Sequence, residues 1–166
     1  MQQYVERARD IIRSNIFMTL ATSDGASVWI APIAYVVDND YNFYWYSATD
    51  VRHSEHIQRN PNVAIAIFNS NEPPDIISGL QIAGRAGVVS EADLPHVMEM
   101  YFRLIFPDEN VRARWIRPIE DFSGNAIQRF YHLTPAEVYM PDPSNKKIDR
   151  RMVVNLEELR SQPPHP

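Results

Sequence analysis

The segment Tyr44-Trp45-Tyr46-Ser47-Ala48-Thr49-Asp50-Val51-Arg52-His53-Ser54 holds the residue types best suited to gripping an anion. An aromatic strand runs through hydroxyl residues into the start of a helix that carries two potential cations. A helix N-terminus offers backbone N–H groups without intrahelical partners, together with the positive end of the helix dipole. Ser47 and Thr49 can donate hydrogen bonds. Arg52 can hold a phosphate through two parallel N–H bonds, and His53 can donate from either ring nitrogen. Asp50 is the discordant member and is expected to cap the helix instead of meeting a phosphate. The pattern points to a phosphate site, although a capped surface helix with solvated charges carries the same residues.

Other chemistries are less well served. His53 and His56 stand at i and i+3 on one helix, but no third ligand accompanies them as a zinc site requires, so no metal is expected. No Gly-x-Ser-x-Gly turn presents a hydrolase nucleophile. The glycines between Gly79 and Gly87 are spaced wrongly for a phosphate-binding loop. The chain has no cysteine, which removes disulfides, thiolate nucleophiles and Cys-ligated metals. A net charge of −5 argues against nucleic acid as a partner, because that binding leans on concentrated Lys and Arg. The N-terminus, Met1 to Arg7, is polar and mixed in charge, without the apolar core of a signal peptide. No apolar run reaches the roughly 18–20 residues of a membrane helix. The expectation is a cytoplasmic protein with no membrane contact.

The elements that must position these residues are mostly strands. The 166 residues suit one domain, placed at residues 1–140 with a tail, 141–166, that docks in part through Met152 to Leu156 and is disordered at its end. Val5, Ala8, Ile11 and Ile12 recur at helical spacing. Phe17–Ala21, Val28–Val37 and Tyr41–Ser47 read as a meander, with turns at Ser23-Asp24-Gly25 and Asp38-Asn39-Asp40. A short helix over about Val51–Arg59 is stopped by Asn60-Pro61. Strands follow over Val63–Phe68 and Ile76–Val89. Leu94, Val97, Met98, Tyr101, Phe102 and Ile105 form one apolar stripe of a helix, with Ser90 as its N-cap. Gln128–Leu133 and Val138–Met140 are strands separated by a break at Thr134-Pro135. Strands that follow one another directly favour a mainly β (α+β) antiparallel barrel or sheet with peripheral helices. The second strand is apolar on both faces, so its outer face needs a cover, a helix or a second subunit.

In order and spacing, these features resemble the pyridoxamine-phosphate oxidase family. The resemblance lies in the hydroxyl Ser47, the pair Arg52-His53, the anchor Ile57, the break Asn60-Pro61 before Val63 to Ile67, then Gly84-Arg85-Ala86, and finally Arg129 to Leu133 followed by Thr134-Pro135. It covers most of residues 5 to 140. It implies a six-stranded antiparallel split β-barrel, a homodimer, and FMN held non-covalently in a groove at the dimer interface. By the same resemblance Tyr46, Ser47, Arg52 and His53 contact FMN, with Arg52 and His53 toward its phosphate. The backbone of Ala31, Pro32 and Ile33 lines the ring, and Gln81 meets a polar edge of the flavin. Two departures stand out: Ala31 and Val36 occupy positions where the oxidases carry an Arg and a Lys, and the substrate-gripping Arg-x-His arrangement has no match.

The implied function is an FMN-dependent oxidoreductase acting on a small molecule other than the vitamin, with no catalytic side chain assigned because the chemistry belongs to the cofactor. A flavin-binding or sensing module without turnover uses the same residues. A split barrel that has exchanged FMN for haem or a deazaflavin is the third reading.

Overall fold

The computed structural model describes residues 2–73, 78–142 and 150–164. In chain order the elements are α1 (Gln2–Ser14), β1 (Phe17–Ser23), β2 (Val28–Ala34), β3 (Val36–Val37), β4 (Phe43–Ala48), α2 (Arg52–Arg59), β5 (Asn62–Ile67), β6 (Leu80–Val88), α3 (Leu94–Ile105), α4 (Glu109–Trp115), a 3₁₀ turn at Ile119–Phe122, β7 (Gln128–Pro141), β8 (Arg151–Val153) and α5 (Leu156–Arg160). Every strand pair is antiparallel, in the order β2-β1-β5-β6-β7-β4-β3, with β8 added to β7. The two ends of that path, β2 and β3, are halves of one extended segment joined at Tyr35. The sheet therefore curls back on itself, as a split barrel does.

Among the described residues eight strands stand where six were expected, for two reasons. Tyr35 divides the second strand: its N–H donates to Ile16 O (3.0 Å) and its hydroxyl to Ile12 O (2.8 Å). Pairing passes there from β1 to β4. The tail supplies the other additional strand, β8. Conversely, the expected break at Thr134-Pro135 is no break. β7 runs through it, and the register against β6 shifts between Ala83 and Gly84. One extra residue, Ala136, is accommodated in a bulge, where a proline in a strand is tolerated. Part of the expected strand from Ile76 (Ile76 and Ile77) lies outside the described residues, as do tail residues 143–149 and 165–166.

Period-two alternation fills the barrel. Met18 and Leu20 of β1, Phe43 and Trp45 of β4, Ile65 of β5, Ile82 of β6 and Leu133 of β7 are all buried in one cluster, which α1 covers with Val5, Ala8, Ile11 and Ile12. A second cluster lies outside the barrel wall, between α3 and the outer face of β4 and β7. It holds Val97, Met98, Tyr101, Phe102, Phe122 and Phe130. The stripe read from the sequence is the face that α3 buries. Ser90 sits one turn earlier than expected of a cap. Its hydroxyl accepts from Asp93 N (3.1 Å), and Asp93 is the N-cap of α3. None of the described helices is long and apolar enough to cross a membrane.

Residues 150–164 return to the barrel. Arg9, buried on α1, donates to the carbonyls of Glu158 and Leu159 and to the Ser161 hydroxyl. Tyr41 donates to Gln162 O (3.2 Å) and Arg160 to Asp40 O (2.9 Å).

Candidate functional site

The helix α2 closes one end of the barrel and is fixed to it by three side chains. Its buried residues, His53, Ser54, His56 and Ile57, follow helical spacing. His56 Nδ1 lies 3.3 Å from the Thr22 hydroxyl on β1, and its Nε2 is 3.8 Å from Asp24 Oδ2. His53 Nε2 lies 2.8 Å from Ser47 Oγ at the end of β4. The Arg52 guanidinium lies over the indole of Trp29 on β2, 4.6 Å from the ring centroid. The two histidines thus serve different strands and do not converge on one point.

The N-terminus of α2 is open. Its N-cap is Val51, which has no side-chain cap bond. Asp50 was expected to cap the helix; it is one residue too early and stays exposed in the preceding turn. Backbone N–H groups in the first turn are left for solvent or for an anion.

Arg52 is the exposed cation at the start of α2. Burial, and then the nearby His56, push the His53 imidazole below its usual range, so it is neutral near pH 7 and supplies a hydrogen bond, not a cation. Asp24 is held down at about 2, first by the N–H of Ser27, then by that of Ala26, and it stays a carboxylate beside His56 and Arg59. Ser47 and His53 form a hydroxyl–imidazole pair, but His53 has no second hydrogen bond among the described residues. The orienting third member that nucleophilic catalysis uses is missing.

The structure brings Ser47, Arg52 and His53 together around the start of α2. Tyr46 alternates to the opposite face of β4, where its ring packs against Tyr101, Phe122 and Phe130 at 5.3–5.4 Å. Only its backbone adjoins the group. Ala31 lies opposite Leu20, Pro32 opposite Thr19 and Ile33 opposite Met18, which sets Ala31 and Ile33 inward and Pro32 outward. β2 is an edge of the hydrogen-bonded path, so half of its backbone polar groups face away from β1. Gln81 stands apart. It shares an outer row with Pro32, Thr19 and Ala66, three strand spacings or roughly 14 Å from Pro32. Its Oε1 accepts from Arg151 (2.8 Å).

Sequence reasoning missed two residues. Trp29 reads as an ordinary packing aromatic, yet it is the platform for Arg52. Its signal is the two-residue spacing that sets it on the face of Ala31. Arg129 is directly opposite Ser47 on β7 and shares its face. Its guanidinium is spent on the carbonyls of Gly124, Ala126 and Gln128. Only the β4–β7 pairing reveals that neighbour, and no local pattern encodes it.

A family model described as pyridoxamine 5'-phosphate oxidase matches residues 4–140. The chain belongs to the pyridoxamine 5'-phosphate oxidase family. Solved structures share its fold at low identity. One is a haem-binding protein from Mycobacterium smegmatis (17% identity, 95% of this chain and 60% of that one, TM-score 0.69). Another, from Clostridium acetobutylicum, is related to general stress protein 26 of the pyridoxinephosphate oxidase family (12%, 96% and 99%, 0.66). A third is the haem storage protein HutZ from Vibrio cholerae (15%, 81% and 92%, 0.63). No curated protein matches the chain.

Proposed function

We propose that the protein binds FMN non-covalently in a groove completed by a second copy of the chain, and acts as a flavin-dependent oxidoreductase on a small molecule. The observation that carries this reading is the start of α2. An uncapped helix N-terminus lies beside an exposed guanidinium held by Trp29, in a chain of the pyridoxamine 5'-phosphate oxidase family. The residues fit the group. Arg52 and the free N–H groups of α2 suit a phosphate, and between Ala31 and Ile33 the open edge of β2 offers a ring the Pro32 carbonyl, an acceptor. Ser47 and His53 hold one another and fix the first turn of α2 against β4. Bound FMN would supply the acceptance of a hydride or an electron pair; the chain binds and orients it.

The test is the absorbance spectrum of the purified protein, followed by FMN titration. Flavin bands and saturable binding are expected. Arg52→Ala should cost roughly 1.5–3 kcal/mol of affinity, as for a charge-assisted contact. A colourless protein that ignores added FMN sinks the reading. Bound flavin that neither reduced nicotinamide nor substrate amines turn over marks a binding module. A second reading, haem, is favoured by the haem-binding and haem storage proteins that share the fold. His132 is the candidate ligand for it. The ring is half-buried against a cavity of about 370 Å³ and has no hydrogen bond among the described residues. A Soret band in the same spectrum, lost in His132→Ala, would decide for it.

A further inference from the structure

We propose that a second cleft, between the end of α1, β3 and the end of α3, binds a small monocarboxylate with an apolar body. This cleft holds about 220 Å³. That is below the roughly 300–1,000 Å³ of pockets for drug-sized ligands, so the occupant is a short chain or a single ring. Its walls are Ile12 and Ile16, Val36 and Val37, and Leu104 and Ile105, and Arg13 is the one charged lining residue.

Polarity at the mouth selects the ligand's head group. Two helix C-termini meet here and would ordinarily present bare carbonyls, which attract donors and cations. Protein donors take several carbonyls around the mouth. Ile11 O accepts from Ser14 Oγ and Asn15 Nδ2. Ile12 O and Ile16 O accept from the hydroxyl and the N–H of Tyr35. At the other wall, Phe106 O and Pro107 O accept from Arg112. The one charged side chain that lines the cleft is the Arg13 guanidinium. Its recorded partner is Asp10, 3.9 Å away and largely exposed, a pair of the kind that contributes little. An apolar slot with an available guanidinium at its rim suits a carboxylate on a short hydrocarbon. None of Ser47, Arg52 and His53 lines this cleft, so this inference and the flavin reading are tested separately.

The experiment titrates the full chain with hexanoate, hexanol and hexylammonium, reading methyl NMR shifts of the isoleucine, valine and leucine residues. Hexanoate is expected to give saturable shifts centred on Ile12, Ile16, Val36, Val37, Leu104 and Ile105, and hexylammonium none. Arg13→Gln, an exposed substitution, should weaken hexanoate by roughly tenfold while leaving hexanol binding unchanged. Unaltered methyl positions elsewhere in that variant confirm its fold. Hexylammonium binding as well as hexanoate, shifts centred outside the cleft, no saturable shift, or undiminished hexanoate binding by Arg13→Gln would each overturn the proposal.

Discussion

Arg52 and His53 are neighbours in sequence but have opposite electrostatic characters. Arg52 is exposed and stacked on Trp29, so its charge is fixed in place yet available. Stacking over an indole costs the guanidinium none of its five donors. His53 is buried against Ser47, and its pKa is lowered by burial first and by His56 second. His132 is lowered by burial as well, with Asp93 and then Asp38 acting against the shift. A histidine whose folded pKa lies below its unfolded value of 6.5 binds fewer protons when folded. Its contribution is fully present above pH 6.5 and is lost as pH falls through the folded pKa. Stability should therefore decline on acidification below about pH 6.5. His53→Asn, which keeps a hydrogen-bonding side chain toward Ser47, should flatten part of that decline, with the remainder belonging to His132. Denaturant midpoints between pH 7.5 and 5, measured on both proteins, check it; identical slopes would show that His53 does not titrate differently on folding.

At the scale of elements, the sharpest constraint is where β6 crosses β7. A Cβ built on Gly84 would lie 2.3 Å from Thr134 O and 3.0 Å from its carbonyl carbon, both backbone atoms that cannot rotate away. At Gly87 the nearest atom is His132 Nε2 at 3.5 Å, an ordinary contact. Gly84→Ala should therefore destabilise by at least roughly 1–3 kcal/mol. Gly87→Ala should be neutral or slightly stabilising, by up to about 1 kcal/mol, because the unfolded chain loses freedom. Guanidinium unfolding of the two variants separates them, and equal midpoints would mean that the bulge relaxes freely. This crossing also marks how far the sequence could be read. The helical stripe of α3, the alternation of β1, β4 and β5, and the Ser47–Arg52–His53 grouping are local patterns with a known period, and they were legible. The passage of β7 through Thr134-Pro135 was not. A proline signals a break locally, and only the facing Gly84 allows the bulge that absorbs it. Trp29 and Arg129 were hidden for the same reason: each acquires its role from a residue on another element. The division at Tyr35 depends on bonds to Ile12 and Ile16, which no local pattern announces.

The whole molecule exposes one face that a lone chain leaves uncovered. Val28 is 80% exposed, Ile30 63% and Phe17 61%. With Thr19, Ala21, Pro32, Ala34, Ala64 and Ala66 they form a continuous outer surface over β2, β1 and β5, fixed by the cross-strand registers Phe17–Ala34, Thr19–Pro32, Ala21–Ile30, Thr19–Ala66 and Ala21–Ala64. Small and apolar residues over three strands make a flat surface on which another sheet can lie closely, and contiguous apolar area of this kind on soluble proteins marks an interface. A second copy of the chain is the occupant we expect, because an isologous contact lets one patch cover itself. The fit to the candidate site supports this choice. Gln81 is separated within one chain from the open edge of β2, and a partner is the way to bring a distant outer-face residue to that groove. The protein is therefore expected to sediment at twice the mass of its 19.2 kDa chain. Ile30→Glu sets a carboxylate at the centre of the patch, where desolvating a charge without a partner costs several kcal/mol, and should yield a folded monomer with weakened FMN binding. A wild-type chain that sediments as a monomer at tens of micromolar would remove the dimer from this account. A monomeric Ile30→Glu variant with undiminished FMN affinity would keep the dimer but confine the cofactor site to one chain.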